Sequence, residues 1–389
     1  MPALAIPAAV AGAAAVVTGL GYAFARRVVG TRSRLRAKVI EISEHDVVLA
    51  ATPKTLHPGR FGLWTPTDHL LVGDVTCHDE RRKRVTRSIL ARNPVPEDSS
   101  RNIWEGDVFH SPEAIGPASD VSFPGPDGTH LPAWRIGPSA ERWAIHIHGI
   151  RANRINALRT VPALVEAGYT SLVVSYRGDN EGPRMNRDAA TLGLTEWKDI
   201  EAAIAYARSN GATKIVLIGW SMGASLALLA AEHAADRALV SAAVLISPAL
   251  EWRQTITRSA TRMGLPLPSA CSALAQFFLS RRPFSDLVGL SRPIDFRVLD
   301  WTRPERIRIP TLIIHSPETA RSLSRYRTKW QRPTRRRSRC TSRLRRTTRG
   351  NITSRPRNSP KQSLSGWLGG SAPALTSNSV CIRAGAGGP

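Results

Sequence analysis

The sequence predicts an α/β protein in which a mostly parallel sheet is covered by helices on both faces. A transmembrane helix and a small β-rich module precede that domain, and a disordered basic tail follows it. Three observations carry this. Strand-like and helix-like apolar runs alternate from about Asp120 to Ser316. The pentapeptide GWSMG, Gly219–Gly223, falls between one such strand and one such helix. Acidic residues stop at Glu318. The organisation that follows is an anchor over 1–26, a β-rich module over 39–92, an α/β domain over 118–318 and a tail over 319–389.

The first element is ALAIPAAVAGAAAVVTGLGYAFA, 23 residues without a charge. That is long enough to cross ~30 Å of hydrocarbon as a helix. Arg26, Arg27, Arg32, Arg34, Arg36 and Lys38 follow it, so the expected product is a single-pass membrane protein with the domains that follow on the cytoplasmic side. A cleaved signal peptide would carry positive charge before the apolar stretch, and none is present. Residues 39–92 then alternate apolar and polar in short runs, the pattern of a small β-rich module, and the loop RNPVPEDSSRN separates it from the main domain.

The α/β domain opens with DVSFPGPDGTHLPAWRIG, a hairpin, and WAIHIHG, a buried strand. ALRTVPALVEAG is helical and TSLVVSY is a strand ending in the turn RGDNEGP. TEWKDIEAAIAYARSN is a helix with Thr195 as its cap and Glu196 in its first turn. KIVLIGW is a strand, MGASLALLAAEHAA a helix and SAAVLISPA a strand. Residues 252–300 are helical and amphipathic, the usual place for a cap, and IPTLIIHS is the last apolar strand. Cys77 and Cys271 read as plain buried thiols, and with Cys340 and Cys381 they give no disulfide framework.

The chemistry centres on GWSMG. Between a strand and a helix, this pattern puts the serine on a strained turn, and the glycines two residues either side leave room for it. Ser221 is therefore the candidate nucleophile, with Gly219, Trp220 and Gly223 completing the elbow. Donors for a developing oxyanion are the amide of Met222 and that of Ile150, or of Arg151, in the turn after HIHG. His146 and His148 are two apart on a strand, as a metal pair would be, but no further ligand stands near them in the sequence. No nucleotide loop or metal cluster is evident, so no cofactor is expected.

HIHGIRANR, VVSYRGDNEGP, LGLTEWKDIEAAIAYA, VLIGWSMGAS and LISPALEW, in that order, resemble segments of α/β-hydrolase-fold serine hydrolases. The resemblance is to the serine aminopeptidase and prolyl oligopeptidase-like group, in particular its membrane-anchored actinobacterial members. It spans about half the chain and implies an acyl-enzyme at Ser221, with an Asp after the penultimate strand and a His after the last one. Neither is where the pattern asks. No Asp follows Asp300 and no His follows His315, which leaves Glu318 as the candidate acid substitute and no identifiable catalytic histidine.

The tail suggests why. Residues 319–389 hold 17 of the 54 Lys and Arg and none of the 30 Asp and Glu, leaving 37 basic against 30 acidic residues before them. The net charge of +24 is thus a property of the tail, and nothing in it is patterned for specific nucleic-acid recognition. With one base restored within codon 318, permissible codons for HSPETARSLS can read HSPDDGTVPV, and those for TTRGNITS can read HTREYHV in the same frame. Residues beyond Glu318 therefore read as an out-of-frame translation, disordered by composition. The expected function is membrane-anchored hydrolysis of an ester, thioester or peptide-like acyl bond, impaired by the missing triad members. The alternatives are a catalytically silent scaffold for a partner and a basic surface-binding protein. Trp252, Phe277, Phe278, Phe284 and Trp301 suggest an apolar acyl pocket under the cap.

Overall fold

Runs such as KIVLIGW, apolar on both faces, are stable only as strands covered from two sides. A computed structural model of the chain, describing residues 5–31, 36–96, 103–138, 141–179, 181–303, 305–315 and 380–384, places them at the centre of an eight-stranded sheet. The chain begins with helix α1 (Ala5–Val29). A six-stranded antiparallel module follows: β1 (Val39–Ile42), β2 (Asp46–Ala50), β3 (Phe61–Trp64), β4 (Asp68–Asp79), β5 (Arg84–Pro94) and β6 (Ile103–Glu105). The module thus extends past residue 92, because β6 crosses back to pair with β3.

Inside the module a fully buried guanidinium replaces part of an apolar core. Arg87 donates to the carbonyls of Gly73, Thr55, His57 and Gly59, and its charge lies 5.2 Å from the Phe61 ring centre and 5.4 Å from that of Trp104. With every donor occupied, the charge is tolerated where an unpaired one would not be. Asp107 joins the module to the main domain. It accepts from Trp64 on β3 and from Asn156.

The main domain runs β7 (Ala118–Pro124), β8 (His130–Ile136), β9 (Arg142–Ile147), α2 (Arg154–Ala157), α3 (Val161–Glu166), β10 (Thr170–Val174), α4 (Trp197–Ser209), β11 (Lys214–Trp220), α5 (Met222–His233), β12 (Val240–Ile246), α6 (Trp252–Arg262), α7 (Pro268–Ser280), α8 (Phe284–Val288), β13 (Thr311–His315) and β14 (Val380–Ala384). The sheet order is β14-β13-β12-β11-β9-β10-β8-β7. Strands β13, β12, β11, β9 and β10 are parallel, while β7, β8 and β14 are antiparallel. Helix α5 is hydrophobic all round and buried from Met222 through Ala230, as a helix pressed onto the middle of the sheet must be.

Four expectations change. The N-terminal helix forms, but its last turns are sunk into the α/β domain: Phe24, Ala25 and Val29 belong to the main core. Among the described residues no helix is long and apolar enough to cross a membrane. Helix α4 starts at Trp197 rather than Thr195, because Glu196 turns back to accept amides from Thr191, Gly193 and Thr195. Cys77 is exposed, while Cys271 is buried and donates to the Pro266 carbonyl. The tail, expected to be wholly disordered, supplies β14 along the open edge of β13. An uncovered edge strand is a row of unpaired amides and carbonyls, and β14 meets that demand.

Candidate active site

One residue, Ser221, separates β11 from α5. Its backbone has φ 50° and ψ −110°, a region L-residues avoid, at a cost of order 1–3 kcal/mol that the surroundings must hold in place. They do so from both sides. Ser221 N–H donates to the Ile246 carbonyl at 2.9 Å, and the Ser221 carbonyl accepts from Ala224 and Ala249. The result is an exposed serine between half-buried Trp220 and buried Met222. Both elbow glycines are sterically required. A Cβ on Gly219 would stand 2.6 Å from the Ala224 backbone, and one on Gly223 would meet the Ile147 carbonyl oxygen and lie 2.5 Å from that of His148.

The topology brings the second turn here. The chain passes from β9 to β10 on one side and returns to β11 on the other, so the strand order reverses between β9 and β11. Loops leaving the carboxyl ends of two such strands diverge and open a crevice between them. The 148–150 turn leaves β9, Ser221 leaves β11, and they face across the gap. A Cβ on Gly149 would be 3.2 Å from Ser221 Cβ and 3.9 Å from its Oγ. Ile150 follows, half-buried, and Met222 stands at the first position of α5, whose amide has no partner within the helix. Ser221, Met222 and Ile150 are therefore assembled in one place.

The turn is braced by residues that the sequence reading did not connect. His148 Nδ1 donates to the Gly149 carbonyl at 2.9 Å, and Nε2 meets Asp179 Oδ2 at 3.0 Å. Contacts to both ring nitrogens fix the orientation of the imidazole. Tyr176 stacks on the His148 ring at 4.2 Å and donates to the His148 carbonyl at 2.9 Å. Burial works to raise the Asp179 carboxyl, yet the His148 hydrogen bond, its charge and the amides of Gly182 and Glu181 hold it below the usual carboxylate range. The signal was present in the pairing: β10 lies parallel to β9, so the loop carrying Asp179 must land beside the turn carrying His148.

A test of that brace is Asp179→Asn. Removing one partner of a buried pair costs about 3–5 kcal/mol, expected as a lowered urea midpoint at pH 7. The sign follows from a depressed folded-state value. Its stabilisation is present above the unfolded value near 3.8 and is lost as pH falls through the lower folded one. The gap between native protein and variant should therefore narrow below pH 4. A pH-independent gap would contradict it.

Other expected residues lie elsewhere. His146 is buried, bonded to Thr160 at 2.8 Å and Ser171 at 3.0 Å, and burial lowers its pKa to about 3. His146 and His148 thus spend their ring nitrogens on separate partners. Among the described residues no group of three His, Cys, Asp or Glu is placed to hold a metal. His233 sits at the far end of α5 against Trp197. His315, at the end of β13, is two strands from the elbow, about 10 Å at ordinary strand spacing. Among the described residues no histidine hydrogen-bonds Ser221, and Glu318 lies outside them. Among the cap aromatics, Trp252 donates to Ser225, and Phe277, Phe278 and Phe284 pack on one another. Phe278 also meets Tyr22 of α1 at 5.6 Å, and Trp301 lies beside Arg306 in the lining of a small cleft with Leu228 and Ile307.

Comparison with known proteins gives the family of the main domain. A family profile described as the alpha/beta hydrolase family matches residues 137–361, and one described as a domain of unknown function matches residues 38–104. The first match continues past Glu318 into the segment that reads as out of frame. No curated protein matches the chain. Among solved structures, an esterase of Pyrococcus furiosus is 23% identical over 52% of this chain and 71% of its own, with a TM-score of 0.39. A proline iminopeptidase-related protein of Thermus thermophilus is 20% identical over 43% of this chain and 58% of its own, with a TM-score of 0.33.

Proposed function

The chain belongs to the alpha/beta hydrolase family, and on that premise we propose that it is a serine hydrolase cleaving an ester, thioester or peptide-like acyl bond through an acyl-enzyme at Ser221. The observation that carries this is the exposed Ser221 at φ 50°, wedged between two glycines that tolerate no side chain. Its Oγ bonds to the acyl carbon while the Met222 and Ile150 amides receive the charge developing on the carbonyl oxygen. The bond to the alcohol, thiol or amine then breaks, that group leaves with a proton, and water hydrolyses the acyl-enzyme. Without a described histidine bonded to Ser221, proton removal falls to water and turnover is slow. That same observation favours a second reading, a catalytically silent scaffold of the same fold.

Membrane attachment belongs to this proposal. The uncharged stretch from Ala3 to Ala25 and the arginines after it support a bilayer contact through the outer turns of α1, with the catalytic domain cytoplasmic. The out-of-frame reading of the tail rests on its codons and is tested by sequencing the gene across codons 315–320. The enzymatic reading is tested by hydrolysis of p-nitrophenyl acyl esters by the full chain and by its Ser221→Ala variant. Turnover by the first alone is expected, while equal rates would leave the scaffold.

A further inference from the structure

Arg151 follows Ile150 directly and has φ 63°, another strained non-glycine position. Its side chain leaves the oxyanion turn and reaches the end of α1, 121 residues earlier in the chain. Nε donates to the Gly30 carbonyl at 2.9 Å, and Nη2 donates to the carbonyls of Val28, at 3.3 Å, and Arg27. The last carbonyls of a helix have no partner within it and carry the negative end of its dipole, so a guanidinium fork is well matched to them. The chain leaving α1 is held as well: Val29 and Asp188 exchange backbone bonds with Ala190 and Thr31.

The other face of the same helix end rests on the cap. Gly21 lies so close to α7 that an added Cβ would stand 2.6 Å from Leu274 Cβ. The Tyr22 hydroxyl donates to the Leu287 carbonyl at 3.1 Å, and Arg26 Nη1 donates to that of Val288 at 3.1 Å. Helix α1 therefore touches α7 and α8 on one side and the oxyanion turn on the other. Through Arg151, no other element is needed to pass a displacement of α1 to the residue before it.

We propose that Arg151 is a positioning residue coupling the seating of α1 to the oxyanion turn, so that the N-terminal helix sets whether the Ile150 amide faces Ser221. The coupling stands on the geometry alone, and only its catalytic consequence rests on the serine-hydrolase reading. When α1 is seated, three carbonyls hold the fork and the strained φ at Arg151 is maintained. When α1 lifts, the fork loses its acceptors and the turn relaxes. A binding event at the exposed outer turns of α1 would reach the site by this route.

The test uses the full chain and three variants: Arg151→Ala, Arg151→Lys, and Gly21→Leu, which wedges α1 off α7 some distance from the turn. Amide hydrogen exchange over residues 148–153 is expected to quicken about tenfold in Arg151→Ala and in Gly21→Leu, with Arg151→Lys between them and the native protein. Fluorophosphonate modification of Ser221 is expected to slow about tenfold or more in the same variants, and the double variant to be no worse than either single one. Faster exchange over residues 20–29 in Gly21→Leu with exchange over 148–153 unchanged would overturn the coupling. Should Gly21→Leu not fold, Tyr22→Phe, which removes the hydroxyl contact to α8, carries the same comparison. Coupled exchange without modification of Ser221 in the native protein would refute the enzymatic reading and leave the coupling standing.

Discussion

Ser221→Ala is expected to abolish acyl-enzyme formation, and with it the slow ester hydrolysis of the native chain, while leaving the fold intact. The hydroxyl is the only group between β11 and α5 that can bond to an acyl carbon, and nothing packs on it, since Ser221 is exposed. What remains after its removal is a pair of amides able to polarise a carbonyl but with no nucleophile beside it. The backbone supplies a second half to the experiment. Alanine is as strained as serine at φ 50°, whereas Ser221→Gly relieves that strain. The glycine variant should be inactive and more stable by about 1 kcal/mol, the opposite directions marking strain held for function. Equal stability of the alanine and glycine variants in urea unfolding would show that the turn stores nothing.

Gly223→Ala is expected to be among the most damaging single-methyl changes at the described residues. The new Cβ would press on two carbonyl oxygens, of Ile147 and His148, at the point where α5 passes over the end of β9. Neither oxygen is free to give way. Ile147 is paired within the sheet to Val174 and Gly219, and the His148 carbonyl is held by Tyr176. A packed interior transmits such an overlap rather than absorbing it, so a loss of about 4 kcal/mol or more is expected, with the 148–150 turn displaced from Ser221. Gly12→Ala is the matched control. Nothing lies within 4 Å of its added methyl, and alanine in a helix should be neutral or stabilising by about 0.5–1 kcal/mol. Similar midpoints for the two variants would mean that the elbow is looser than its contacts require.

The elbow was legible because its signal is local. An apolar strand, five residues with glycines at both ends and an apolar helix are adjacent in the chain, and steric rules at Ser221 do the rest. The brace behind the 148–150 turn was not, because His148 and Asp179 are 31 residues apart and meet only once β9 and β10 pair in parallel. The N-terminal helix shows a different limit. Absence of charge from Ala3 to Ala25 suits a bilayer and a protein core equally, and composition alone does not separate them. Where its last turns lie is a tertiary detail: Phe24 and Val29 are in the core, and Tyr22 and Arg26 are bonded to α8. Glu196 misled for a similar reason. A carboxylate immediately before a helix reads as first-turn charge, yet here it binds the amides of the loop behind it. Of the cap aromatics, Phe278 is taken up by α1, a contact between residues 256 apart that composition does not reveal.

A fluorophosphonate probe, reacted with the folded full chain and mapped by peptide mass spectrometry, tests whether the serine between strand and helix is a poised nucleophile. A single phosphonyl adduct on the peptide containing Ser221, absent from the Ser221→Ala variant and from unfolded protein, is the expected result. No adduct on the folded chain, or one spread over other serines and indifferent to unfolding, would contradict it.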